Sequence, residues 1–183
     1  QGWQLTFDDA TYPLALRPAW ALPADTPAHL RRLPTDYWRR LLADPEIDAV
    51  AIAVPPNVQA EVALAAAQAG KHLFCEKPLA LNLDQARAIL TAATENKLAH
   101  AIDFEFPEVD AWQKAQTSLA AGTLGRIRHV ALTWRLETYA HRAQVDTWKT
   151  HAEVGGGTLN NFSSHTFYYL EWLFGPLKRL TAR

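Results

Sequence analysis

Hydrophobic and polar positions along this chain fall into two regimes. Up to residue 34 the prolines at 13, 18, 23, 27 and 34 break the pattern, and no helical or strand period survives more than about one turn. From there apolar runs of strand length alternate with helical ones. TDYWRRLLA (35–43) predicts a short helix capped by Thr35. IDAVAIAVP (47–55) is a continuous apolar run of the kind buried on both faces of a parallel sheet. Asn57 is placed to cap a helix with apolar Val58, Val62 and Leu64, which runs through an alanine-rich stretch to a stop at Gly70. HLFC (72–75) predicts a second buried strand. Asn82 and Gln85 form a capping box for a helix to about Asn96, and LAHAIDF (98–104) predicts a third strand.

After residue 105 the character changes. Pro107 suits the first turn of a helix that ends near Gly122 and Gly125. RIRHVALTWRLETY (126–139) alternates in part between apolar and polar, as a strand of an antiparallel sheet with one open face does. Residues 155–175 read as a glycine-rich turn leading into a helix. The expected class is α/β: the later part of a Rossmann doubly wound parallel sheet, followed by the start of an α+β domain with an open, mostly antiparallel sheet. The expected division leaves 1–35 unassigned, gives 36–105 to the nucleotide-binding part and gives 106–183 to a substrate and oligomerisation part.

Composition narrows the function. With 49% hydrophobic and 20% charged residues over 183, the chain reads as globular. A net charge of -1 argues against a nucleic-acid partner, and no apolar run approaches a membrane span. Cys75 is the only cysteine, which excludes an internal disulfide and fits a reducing, cytoplasmic setting. The chain has no Met and starts at Gln1, so it reads as part of a longer product, and an export signal ahead of it stays open. Strands alternating with helices invite a dinucleotide at the strand carboxyl ends. Gly2 is the only glycine before Gly70, so a G-x-G-x-x-G fingerprint is absent from the sequence.

Two motifs carry a resemblance. Glu76-Lys77-Pro78 closes the second strand, and GGGTLNNFSSH (155–165) follows some 80 residues later. Together with residues 44–90 they resemble the glucose-fructose oxidoreductase, inositol dehydrogenase and rhizopine-catabolism family, over roughly 36–183. The resemblance implies hydride transfer between NAD or NADP and a secondary alcohol or ketone of a sugar or polyol. It implies a homo-oligomer joined through the C-terminal sheet, and it implies no metal. It maps Lys77 to electrostatic stabilisation of the carbinol oxygen, His165 to acid/base work and Asn161 to orienting His165. Pro55, Pro56, Asn57, Glu76 and Lys77 would border the cofactor; Trp148, Lys149 and His165 would face substrate.

The departures from the family pattern point another way. Asn161 and Tyr168 stand where aspartates are common, Gln59 where histidine is, and Glu105 where arginine is. Glu105 is either a substitute carboxylate or the partner of a nearby cation. His151 just ahead of the glycine turn is a further histidine of interest, and the three glycines are expected to give the backbone room beside a ligand. A catalytically weakened binding or regulatory protein on the same scaffold is the alternative.

Overall fold

The computed structural model describes residues 3–7, 10–14 and 37–181. At the start, β1 (Trp3–Phe7) and β2 (Ala10–Leu14) pair antiparallel with Trp3 opposite Leu14. The proline-rich opening therefore does contain strands, and a signal for them exists: in WQLTF, apolar residues alternate with polar ones. The short helix expected at 35–43 is α1 (Tyr37–Ala43), while Thr35 lies outside the described residues.

Strands β3 (Ala49–Ile52), β4 (His72–Cys75) and β5 (His100–Ile102) form a parallel sheet in that order. Between them run α2 (Pro56–Gln68) and α3 (Leu83–Glu95). Two right-handed crossovers that step in the same direction put both helices on one face of a sheet. The burial pattern agrees. Ile52, Leu73 and Cys75 are buried in one cluster with Val62, Ala63, Ala66 and Ala67 of α2 and Ile89 and Ala93 of α3. Phe74, pointing the other way, is 48% exposed. The expectation of strands buried on both faces is thus corrected: among the described residues only one face is covered.

Helix starts follow local chemistry, with one revision. Asn82 accepts a hydrogen bond from the Gln85 N–H, as the capping box predicts, while Gln85 Oε1 reaches back one residue further and accepts from the Leu81 N–H in place of Asn82. Asn57, however, lies inside α2. Pro56 is locked at a helical φ and lacks the N–H that a first position would leave unpaired, while Pro55 before it is held extended, so the prolines set the boundary. Gly70, with φ +76°, ends the helix as expected.

Beyond β5 a 3-10 turn (Phe106–Glu108) takes up Pro107 and precedes α4 (Asp110–Ala120). Residues 126–138 form no strand ladder. A strand is stabilised by hydrogen bonds to a neighbour, and the described residues offer this segment none. The strand pattern also overran its end, because Thr138 caps α5 (Tyr139–Ala143) by accepting from the His141 N–H. Two 3-10 turns (Trp148–Thr150, Ala152–Val154), a π turn (Leu159–Ser163) and α6 (Ser164–Phe174) complete the fold. No described helix is long and apolar enough to cross a membrane.

Candidate active site

Four charged positions follow directly from the parallel sheet. Residues just past β4 supply Glu76 and Lys77, and residues just past β5 supply Asp103 and Glu105. All stand at strand carboxyl ends, where doubly wound folds bind ligands. With Phe106, Trp134, Phe162 and His165 they line a cleft of about 380 Å³.

The turn after β4 is held from behind. Gln59, fully buried on α2, directs its amide at the carbonyls of Glu76, Pro78 (3.0 Å) and Leu79 (3.3 Å). The Glu76 carboxylate accepts the Lys77 N–H at 3.1 Å, and the Lys77-Pro78 peptide is cis. Gln59, set aside in the sequence as a departure from the family pattern, is thus the clamp of the Glu-Lys-Pro turn. Its signal was a long polar side chain on the helix face that carries Ala63 and Ala66 into the core.

Lys77 reaches across the cleft, donating from Nζ to the backbone carbonyl of Asn161 at 3.1 Å. That carbonyl belongs to the π turn, a local widening frequent at functional sites. The Asn161 amide donates to the Gly157 carbonyl at 3.2 Å, and no hydrogen bond joins it to His165 among the described residues. His165 lies one turn on in α6, 6% exposed, its ring meeting Phe104 and Phe106 edge-on at 5.7 and 5.1 Å. Its Nδ1 is buried without a hydrogen-bond partner, 3.8 Å from Glu105 Oε2.

The glycine turn is built for packing. A Cβ on Gly155 would lie 2.8 Å from Pro56, and one on Gly156 would strike the Trp148 carbonyl oxygen and sit 2.7 Å from that of His151. The turn amides reach the same stretch: Gly156 donates to the His151 carbonyl and Gly157 to that of Lys149. At Gly155 and Gly156 the room expected beside a ligand is occupied by protein, while Gly157 borders open space; the Gly155 contact docks the later half of the chain onto the start of α2.

Electrostatics tie the two central groups together. Burial pushes the Lys77 ammonium below its ordinary 10.5, Lys149 adds to this, and Glu76, Glu105 and Asp103 oppose it. Burial likewise pushes the His165 imidazole below 6.5, assisted by Lys77 and opposed by Glu105 and Asp103. A neutral imidazole beside a lysine of lowered basicity can accept a proton and stabilise an alkoxide.

The remaining expectations divide. Pro55 and Pro56 form the start of α2, and Asn57 opens on a smaller cavity between α2 and α3, away from Lys77. Lys149 acts on Lys77 through its charge, while Trp148 is not among the residues lining the cleft. His151 sits between Asp146 (2.7 Å) and Glu153 (3.2 Å) in an exposed ion-pair cluster. Cys75 is buried, its thiol pushed up to about 11, which suits a core residue. Asp103, Phe106 and Trp134 were missed in the sequence; for Asp103 the signal was its place at the end of a predicted strand. No cluster of metal-ligating side chains occurs among the described residues.

Fold and cleft together define an α/β protein with a Rossmann-like parallel sheet that gathers acids, a lysine and a histidine beside its strand ends. Residues 21–104 match the model of the oxidoreductase family with an NAD-binding Rossmann fold, and residues 112–183 match the C-terminal domain of the same Gfo/Idh/MocA family. The chain belongs to this family. The first match begins at residue 21, inside the segment that the motifs had left unassigned.

An oxidoreductase of Synechocystis sp. is 39% identical over 78% of this chain and 38% of its own length. Levoglucosan dehydrogenase of Pseudarthrobacter phenanthrenivorans is 31% identical over 81% of this chain and 38% of its own. The structure of levoglucosan dehydrogenase with NADH and levoglucosan superposes with a TM-score of 0.64 at 28% identity, over 78% of this chain and 38% of that one. The chain thus spans well under half the length of these relatives.

Proposed function

We propose that the chain carries the catalytic part of an NAD(P)-dependent dehydrogenase acting on a secondary alcohol of a sugar or polyol, or on the matching ketone. The observation that carries this reading is the meeting of Lys77 and His165 in one cleft at the strand carboxyl ends. Levoglucosan dehydrogenase and other relatives named for sugar chemistry support the substrate class.

The residues present fit the nicotinamide end of such a cofactor. Glu76 offers a carboxylate to ribose hydroxyls at the carboxyl end of β4, with Pro55 and Pro56 past the end of the neighbouring strand at the start of α2; Asn57, inside that helix, opens on the separate smaller cavity. When bound, the nicotinamide ring accepts or returns the hydride. The protein's share is the proton: Lys77 stabilises the carbinol oxygen, and His165, neutral near pH 7, takes its proton or gives it back. Trp134, Phe106 and Phe162 offer apolar walls to the C–H face of a sugar, with Lys149 adding positive charge nearby. We divide the chain into 36–105 for the cofactor and 106–183 for substrate and assembly, with homo-oligomers formed through the later part. A lone, buried cysteine supports a reducing cytoplasm.

One observation favours a second reading, a ligand-binding protein without turnover: the Asn161 amide is committed to Gly157, and Tyr168 stacks on Phe104 at 4.3 Å. Titrating the protein with NADH and NADPH by fluorescence, then assaying polyols and sugars at the nicotinamide absorbance band, separates the two. Turnover lost in Lys77→Ala supports the dehydrogenase. Cofactor binding without turnover of any sugar supports the binding protein, and binding of neither nucleotide sinks the dehydrogenase.

A further inference from the structure

We propose that Glu105 is the positioning residue of the His165 imidazole, supplying the carboxylate that position 161 does not. This builds on the reading of His165 as acid/base. The segment after β5 wraps the ring: Phe104 and Phe106 each meet it edge-on, and Glu105 between them faces its Nδ1. That nitrogen is buried and unpaired, an unfavourable state for a polar group inside a folded protein. A charge-assisted hydrogen bond from N–H to carboxylate runs at about 2.7–2.9 Å, so a movement of roughly 1 Å by Glu105 closes the present 3.8 Å.

Glu105 has that freedom and Asn161 does not. The Glu105 side chain is 56% exposed at the cleft rim, while its backbone is fixed because its carbonyl accepts the Glu108 N–H that starts the 3-10 turn. Asn161 is buried, with its amide held by Gly157. Once Nδ1–H is bound to Glu105, the lone pair rests on Nε2, the nitrogen left for the cleft. The same carboxylate then stabilises the imidazolium formed when Nε2 takes a proton. The charged groups facing His165 are Lys77, Asp103 and Glu105; Lys77 favours loss of its proton and the two carboxylates favour its retention.

The test is histidine NMR on the full chain, with His165 assigned by its loss in His165→Asn. In Glu105→Gln the His165 titration midpoint should fall by about 1 pH unit, and its nitrogen shifts should leave the Nδ1–H tautomer. Glu105→Asp, which keeps the charge, should stay nearer the parent. An unchanged midpoint and tautomer in Glu105→Gln, or the reverse order of the two variants, overturns the assignment. The readout needs no turnover. A shifted His165 in a protein inactive on every sugar keeps Glu105 and loses the dehydrogenase. An active protein with an unmoved His165 does the opposite.

Discussion

The Lys77 charge acts on the His165 imidazole, so His165 does not titrate alone. Because Lys77 depresses the His165 imidazole, Lys77→Ala should move the His165 midpoint upward, which histidine NMR reads directly. For the proposed dehydrogenase, the base must be neutral and the lysine charged. The acid limb of kcat/KM is therefore expected below pH 6.5, and the alkaline limb below 10.5, since both groups are pushed down from those values. The same depression has a stability consequence of definite sign. A histidine whose folded pKa is lowered stabilises the fold above about pH 6.5 and loses that contribution as pH falls through its folded value. Lys77 and His165 were legible in the sequence because a short charged motif at a strand end and a histidine at fixed spacing from a glycine turn survive without knowledge of packing. Gln59 was not, since what matters about it is which distant carbonyls it faces, and for Glu105 the sequence left two readings open, a substitute carboxylate or the partner of a cation.

At the scale of elements, the site depends on two supports that touch no ligand. The first is the clamp of α2 on the turn after β4. Gln59→Leu leaves the carbonyls of Glu76, Pro78 and Leu79 without their amide partner inside the protein. The expected cost is about 1–3 kcal/mol, measured by urea unfolding, with a larger loss in kcat than in KM because Lys77 is then misplaced. The second is the glycine turn. Gly156→Ala drives a methyl onto backbone carbonyls of Trp148 and His151, which cannot rotate away, and should cost roughly 1–3 kcal/mol. An alanine that leaves the urea midpoint unchanged would mean the turn has slack that the packing denies. Strands β3 and β4 and helices α2 and α3 were readable because each buries a face that its own sequence marks, whereas β5, exposed at all three residues, was readable from its apolar run alone. The one-sided covering of the sheet was not, because it depends on where both crossovers go. The segment 126–138 shows the converse, a strand-like alternation to which the described residues bring no partner.

At the scale of the whole molecule, that segment is the place to look for association. Val130, Leu132 and Leu136 fall at alternate positions and are 44, 44 and 52% exposed, while Trp134 between them turns its indole N–H to Thr166 at 2.9 Å. Unpaired backbone beside exposed apolar side chains is the condition under which a chain pairs with another copy of itself. Sedimentation of the protein over a range of concentrations should therefore show a reversible shift toward dimers or larger species. Leu132→Glu with Leu136→Glu places two charges on the row and should hold the protein monomeric. The His165 titration should not move in that variant, because neither leucine lines the cleft. Trp134 does line it, so assembly over this row would also close one wall of the site. In that case the parent's KM for a sugar falls as protein concentration rises, and the double-glutamate variant loses this dependence. A parent that stays monomeric at every concentration removes the row as an interface and leaves Trp134 as a wall of the cleft alone.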